Sequence, residues 1–238
     1  MIYPEFKDKV IMVTGAAGGI GSKLVERFEA CGAVVYGTDI VESKQQHFIR
    51  GDISDTAFQK SWLKDVLEKE GRVDVLINNA GVCPRTALSD ITEDEWRRVI
   101  DINLTATFFL SQICIEQMIS QKSGVIINLA SLAGKVGGIA VGAHYSASKA
   151  AIACLTKTLA RSGAGHGVRV NAVAPGVIDT DITSAATPQQ REAFKTTIPM
   201  GRIGDADEVV RPIMFLVSAE ASYITGATLD INGGLLMD

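Results

Sequence analysis

Histidine is scarce in this chain. Three occur in 238 residues (His47, His144 and His166), far apart in sequence. A bound metal needs a cluster of such ligands, so no metal site is expected. The four cysteines, Cys31, Cys83, Cys114 and Cys154, are equally scattered and form no CxxC spacing. They read as small buried apolar side chains in a reducing compartment. There is no basic excess either: 23 Lys and Arg stand against 27 Asp and Glu, a formal charge of -4. That balance gives no reason to expect nucleic acid or an anionic membrane as a partner. No apolar run in the sequence reaches spanning length. Met1 to Lys9, with Glu5 and Asp8, lacks the basic and then apolar pattern of a signal peptide. A cytoplasmic location is the expectation. With no linker, low-complexity stretch or internal repeat, residues 1–238 are expected to form a single domain.

What is present is the composition of a globular protein, 47% hydrophobic and 21% charged. The apolar runs are short, rich in Val and Ile, and end in turn residues. Examples are Val10–Val13, Ala33–Tyr36, Val73–Ile77, Gly124–Leu129, Val168–Val173 and Ala227–Ile231. Runs without strict alternation suit strands buried on both faces. Helical segments fill the gaps: Ile20, Leu24, Val25, Phe28 and Cys31 share one helical face. Thr92-Glu93-Asp94-Glu95 has the pattern of a capping box and opens a long helix holding Trp96, Val99, Ile100 and Leu104. Thr187-Pro188 and Asp205-Ala206-Asp207-Glu208 open two more. Strand and helix in alternation predict an α/β fold, a doubly wound parallel sheet of about seven strands with helices on both faces.

The first strand runs into Thr14-Gly15-Ala16-Ala17-Gly18-Gly19-Ile20-Gly21, ahead of a helix. Glycines there allow positive φ and close approach of the backbone to a phosphate, while the helix N-terminus favours an anion. The spacing is GxxxGxG rather than GxGxxG. Asp39 ends the second strand, where a carboxylate either caps a turn or accepts from an adenosine ribose and repels the 2′-phosphate of NADP. The predicted cofactor is therefore NAD. Asp52, followed by Ile53, is placed to bond an adenine amino group. Asn79 serves either a turn or the cofactor, and small Ala80 and Gly81 leave room for a flat ring. All of these fall at strand C-termini, where open parallel sheets bind ligands.

Tyr145 and Lys149 are i and i+4 on one helix and share a face. Such a pair is often only a solvated surface. As a catalytic pair it has a purpose, because an adjacent ammonium favours phenolate and lowers the phenol pKa. Ser131, ending the fifth strand, is placed to hold a substrate oxygen. His144 reads as structural.

With these motifs in this order, joined by Asn103 in the long helix and by Pro175-Gly176, the chain resembles the short-chain dehydrogenase/reductase family over essentially its whole length. The resemblance implies a tetrad of Asn103, Ser131, Tyr145 and Lys149. Tyr145 is then the general acid/base and Ser131 polarises the substrate. Lys149 tunes Tyr145 and holds the nicotinamide ribose, and Asn103 holds a relay water. It also implies that Pro175, Gly176, Ile178 and Thr180 line the nicotinamide, Ile178 through its backbone, and that the protein is a homotetramer. Two features depart from the family. The stretch from Asp39 to Asp52 is short, so the helix usual there is expected to be reduced or missing. The loop between Ser131 and Tyr145 is slightly long and carries Gly137, Gly138 and Gly142.

The segment 181–202 is expected to cover the substrate as a lid. Val136, Ile139, Val141, Val177 and Ile182 are its expected aliphatic pocket wall, with Arg85 and Lys135 the possible exceptions to an uncharged site. These residues favour a small or medium neutral carbonyl, or the corresponding secondary alcohol, as substrate. The leading reading is an NAD-linked alcohol dehydrogenase or ketone reductase. The second is a 3-oxoacyl-thioester reductase using NADPH, against which Asp39 and the acidic balance argue. A non-catalytic nucleotide-binding scaffold is a third, disfavoured by the presence of both Tyr145 and Lys149.

Overall fold

The computed structural model describes residues 3–138, 141–180 and 187–237. Seven parallel strands form one sheet in the order β3-β2-β1-β4-β5-β6-β7. They are β1 (Val10–Thr14), β2 (Val34–Asp39), β3 (His47–Arg50), β4 (Val75–Asn78), β5 (Gly124–Leu129), β6 (Val168–Pro175) and β7 (Thr228–Ile231). From β1 the chain winds outward to β3 and then returns to β4 on the other side. The β1/β4 crevice is therefore the topological switch point, where such sheets bind ligands.

The absence of alternation in the strands is explained by cover on both faces. Ile11 and Val13 of β1 point into one core, with Leu24, Val25 and Phe28 of α1 (Gly19–Glu29) and Val209, Val210 and Ile213 of α8 (Ala206–Val217). Val10 and Met12 point into the other, with Trp62 and Val66 of α2 (Thr56–Glu70) and Leu110, Cys114 and Met118 of α4 (Ala106–Gln121). The predicted face of α1 is therefore correct.

The long helix is continuous but not uniform. α3 (Glu93–Ile100) passes through a π turn, Asp101–Thr105, into α4. By length and composition Glu93–Gln121 is apolar enough to cross a bilayer, contrary to what the runs alone indicate. Its Val99, Leu110, Cys114 and Met118 are nonetheless packed in the protein core. The Thr92 capping box is only half made: the Thr92 hydroxyl accepts from the Glu95 N–H at 3.2 Å, but the Glu95 carboxylate goes elsewhere. The other two predicted N-termini are complete capping boxes, Thr187 with Gln190 on α7 (Pro188–Thr197) and Asp205 with Glu208 on α8.

As expected, no helix intervenes between Asp39 and Asp52. Residues 40–46 instead run as an irregular segment whose Gln45 amide donates to the Ala16 carbonyl at 2.7 Å, bracing the glycine turn from behind. Between β5 and the 22-residue α6 (Ala143–Ala164) lies one short helical turn, α5 (Ala133–Val136).

Candidate active site

The glycine turn is built by close contacts that side chains would block. Gly15 has φ +65°, and a Cβ there would lie 2.9 Å from Ala80 Cα. At Gly21 a Cβ would lie 1.9 Å from the Gly15 carbonyl oxygen. Asn79 holds the arrangement: its amide donates to the carbonyls of Thr14 and Gly15 at 3.0 Å each, while the Thr14 hydroxyl accepts the backbone N–H of Asn79 and of Ala80. Asn79 therefore serves the turn, and it also faces the cavity. No side chain caps α1, whose N-cap is Gly18. The first-turn N–H groups, which a helix cannot satisfy internally, are thus not taken up by a side-chain cap.

In front of this turn lies a cavity of about 680 Å³. Of the residues assigned to the cofactor from the sequence, Gly15, Gly19, Ile20, Asp39, Asp52, Ile53, Asn79, Ala80, Gly81 and Thr180 line it. Asp39 does more than cap a turn: one oxygen accepts from Ala17 N at 3.1 Å and the other from Val41 N at 3.2 Å, fixing the carboxylate at the cavity edge. Asp52 Oδ1 is already used by the backbone N–H and hydroxyl of Ser54, at 2.9 and 2.7 Å. Ala17 and Gly21 shape the turn without lining the cavity. Pro175, Gly176 and Ile178 are not part of its wall either. Pro175 and Ile178 are buried, and Gly176 lies so close to Asn232 that a Cβ would come within 2.9 Å of its Cα. The wall missed in the sequence is α3 and the π turn, with Asp94, Arg97, Arg98, Asp101 and Ile102. Nothing local marks these residues; they arrive through the tertiary fold.

The four predicted catalytic residues fall in one neighbourhood. Tyr145 and Lys149 stand on the first two turns of α6, with the Lys149 ammonium 5.8 Å from the centre of the Tyr145 ring. Lys149 is buried and donates to the Leu129 carbonyl at 2.6 Å. Ser131 lies two residues beyond the end of the same strand; its hydroxyl is near enough to that of Tyr145 to favour the phenolate and accepts from Ala133 N at 3.2 Å. α5 packs against α6 so closely that a Cβ on Gly134 would lie 2.6 Å from Ala150 N, which brings Ser131 to Tyr145. The fully buried Asn103 sits in the π turn, where its side chain accepts from Val82 N at 2.8 Å and donates to Val82 O and to the Ser148 hydroxyl. It clamps the irregular segment following Asn79-Ala80-Gly81. A Cβ on Gly81 would lie 3.1 Å from Asn103 Oδ1 and 3.5 Å from Lys149 Nζ, so small size there is required.

The electrostatics differ from the sequence expectation in one respect. Burial dominates at Tyr145 and raises its pKa, with the Cys83 thiol adding to the rise and the Ser131 hydrogen bond opposing it. Burial also pushes Lys149 down, to about 8. The expected lowering of Tyr145 by Lys149 is therefore not found: burial sets the direction at Tyr145, and Lys149, lowered to about 8, loses its charge before such a phenol ionises. The reading of the cysteines also needs correction. Cys114 is buried, but Cys154 is exposed, and Cys83 lies near both Tyr145 and Lys149. Its thiol is raised by burial and lowered by Lys149.

A second cavity, of about 610 Å³, is lined by Arg85, Thr86, Ala87 and Leu88 after β4, by Gly138, Val141 and Ala143 before Tyr145, and by Gln190, Ala193 and Phe194 of α7. α7 therefore faces this cavity, whereas Ile198, Met200 and Arg202 of the expected lid segment line a separate recess; residues 181–186, with Ile182, lie outside the described part, as does Ile139. Of the other expected wall residues, Val141 lines the cavity, Val136 is half-exposed on α5, and Val177 faces a different recess beside Ile178 and Asn232. Arg85 lies in the cavity wall, whereas Lys135 is paired with Asp230 at 2.6 Å.

A family model described as enoyl-(acyl carrier protein) reductase matches residues 15–236. The 3-oxoacyl-(acyl-carrier-protein) reductase of Vibrio cholerae is 40% identical over 243 residues, covering 98% of this chain and 99% of its own. The protein of the same name from Escherichia coli is 38% identical, with the same coverage. Among solved structures, the ligand-free aldohexose dehydrogenase of Thermoplasma acidophilum superposes with a TM-score of 0.92 at 32% identity, covering 98% of this chain and 96% of its own. A Brucella melitensis protein titled short-chain dehydrogenase/reductase, glucose/ribitol dehydrogenase, gives 0.92 and 32%, with both chains covered completely. Of the two enzymatic readings made from the sequence, these relatives support the 3-oxoacyl-thioester reductase better than the alcohol dehydrogenase.

Proposed function

The chain belongs to the short-chain dehydrogenase/reductase family of oxidoreductases, and from that premise we propose that it reduces the keto group of a 3-oxoacyl thioester with NADH. The substrate class rests on one observation: relatives named for that reaction are 37–40% identical along nearly the whole chain. The choice of NADH rests on Asp39. Its carboxylate is fixed at the cavity edge by two backbone N–H groups and sets a negative charge where a 2′-phosphate would add another. Like charges brought together cost several kcal/mol.

The residues present fit a dinucleotide. The uncapped start of α1 offers backbone N–H groups to the pyrophosphate, Asp39 accepts from a ribose, and Thr180 borders the same cavity. When bound, the nicotinamide supplies the hydride. In this reading the Ser131 hydroxyl holds the substrate carbonyl oxygen and Tyr145 Oη delivers the proton to it as the oxygen gains charge. Lys149 places a cation behind Tyr145 and replenishes the proton. Asn103 keeps Gly81 and Val82 in place beside Lys149; its side chain is engaged by Val82 and Ser148 and its carbonyl accepts from the Thr107 hydroxyl, so a relay water would use the second lone pair of that carbonyl. Pro175, Gly176 and the Ile178 backbone complete the nicotinamide side. The second cavity takes the acyl chain, with α7 as its cover. The active form is a homotetramer in the cytoplasm, consistent with four cysteines free of disulfides.

One observation favours a second reading, a sugar or secondary-alcohol dehydrogenase. Proteins named for such substrates superpose over the full chain, and Asp39 suits NAD-linked oxidation. The deciding experiment follows nicotinamide absorbance with NADH and NADPH on acetoacetyl thioester, and with NAD on aldohexoses and secondary alcohols. Turnover of the thioester that is lost in Tyr145→Phe supports the proposal. Turnover of the alcohols alone overturns it in favour of the second reading.

A further inference from the structure

His144 immediately precedes Tyr145 and is completely buried. Its Nδ1 accepts the backbone N–H of Tyr145 at 3.0 Å, one of the first-turn donors of α6 that the helix itself cannot satisfy. An acceptor Nδ1 carries no proton, so the imidazole hydrogen is on Nε2. That atom is buried with no hydrogen-bond partner, and Glu95 Oε1 lies 3.7 Å away. Orphaned buried donors are rare in folded proteins and call for an explanation. The same Glu95 oxygen accepts from the Thr86 hydroxyl at 2.6 Å, and Thr86 lines the second cavity. Glu95 has the position and chemistry to close the capping box with Thr92, yet its carboxylate is directed at these two groups.

We propose that Glu95 and His144 form a positioning pair that ties the loop edging the substrate cavity to the first turn of the Tyr145 helix. Thr86 and His144 meet at one oxygen of that carboxylate, Glu95 Oε1. A shift of about 0.5 Å brings Nε2 within hydrogen-bond range of Glu95. Contacts of this kind are often long in unliganded enzymes and shorten once substrate is in place. Closing the Thr86 loop over a substrate would carry Glu95 onto His144 and fix Tyr145 at the moment its hydroxyl faces the carbonyl. Neither residue touches the reacting atoms; both act through Tyr145 and the cavity wall. The kinetic consequence rests on the proposed role of Tyr145, whereas the coupling itself does not.

Amide hydrogen exchange tests the coupling without substrate, on segments 84–89 and 143–149. Glu95→Ala is expected to speed exchange in both segments and leave α1 unchanged, while Glu95→Gln, which keeps an acceptor oxygen, stays near wild type. His144→Ala should do the same as Glu95→Ala, and His144→Asn, which keeps an acceptor close to the Nδ1 position, should restore protection of the Tyr145 turn alone. On the carbonyl substrate, kcat should fall about 10-fold in Glu95→Ala and recover in Glu95→Gln, with KM and the NADH dissociation constant held within about 2-fold. The proposal is overturned if Glu95→Ala loosens only segment 84–89, or if kcat and NADH affinity fall together. If wild type reduces none of the carbonyls offered, the proposed function falls, and exchange still decides the coupling.

Discussion

Tyr145, Ser131 and Lys149 sit in an arrangement whose titration has a definite sign. Burial raises the Tyr145 phenol, so it stays protonated through the neutral range and is available as an acid. Lys149, lowered to about 8, is the group that changes charge first as pH rises. Its ammonium is present below that value and lost above it. The rate of carbonyl reduction should therefore hold at pH 6–7 and decline as pH rises through about 8. A pH profile of kcat measured in the reductive direction checks this; a rate still rising at pH 9 would contradict it. At Asp39, Asn keeps an acceptor for Ala17 N and removes the charge. Asp39→Asn should raise the ratio of kcat/KM for NADPH over NADH by 10-fold or more, since the like-charge penalty is of the order of several kcal/mol. These residues were legible because the chemistry needs specific side chains at short, regular spacings. Cys83 and Glu95 were not, because their roles come from neighbours 62 and 49 positions along the chain, and nothing local distinguishes them from a core cysteine and a capping acid.

At the scale of elements, the strands, the glycine turn and the helix starts at Thr92, Thr187 and Asp205 could be read directly. Each is dictated within a few residues by burial on both faces, positive φ or a cap. The missing helix between Asp39 and Asp52 was also readable, because that stretch is short for the family the chain resembles. The π turn at Asp101–Thr105 was not. It widens the helix where Asn103 must turn both polar atoms toward Val82, and the Thr107 hydroxyl takes up the Asn103 carbonyl at 2.9 Å. Such turns arise from tertiary demands on an ordinary helical sequence and often mark functional sites. The glycine turn gives the sharpest element-level prediction. A Cβ at Gly21 would overlap the Gly15 carbonyl oxygen at 1.9 Å, and backbone cannot swing aside as a flexible side chain would. Gly21→Ala should lower the unfolding free energy by roughly 1–3 kcal/mol and weaken NADH binding at least 10-fold. Thermal unfolding together with cofactor fluorescence titration separates the two effects. Wild-type values in both would show that the turn is less tightly built than these contacts indicate.

For the whole molecule, the surface holds features that a monomer does not explain. Phe108 and Phe109 on α4 meet edge-on with ring centres 5.1 Å apart, and both remain more than a third exposed. β7 is the last strand of the sheet, its outward edge unpaired among the described residues, with Leu229 half-exposed and Met237 largely exposed beyond it. Unprotected edges and apolar patches invite association, and a soluble chain ordinarily covers them. The two surfaces lie on different elements, α4 and β7, which is what two distinct dyads of a tetramer require. Sedimentation should therefore give a mass near four times 25.3 kDa. Placing a charge in the middle of the aromatic patch, as in Phe109→Glu, should split the assembly into dimers that still bind NADH, because the cofactor cavity is built within one chain. A wild-type monomer would remove this expectation. A Phe109→Glu tetramer would move the interface away from α4 while leaving the β7 edge to account for association.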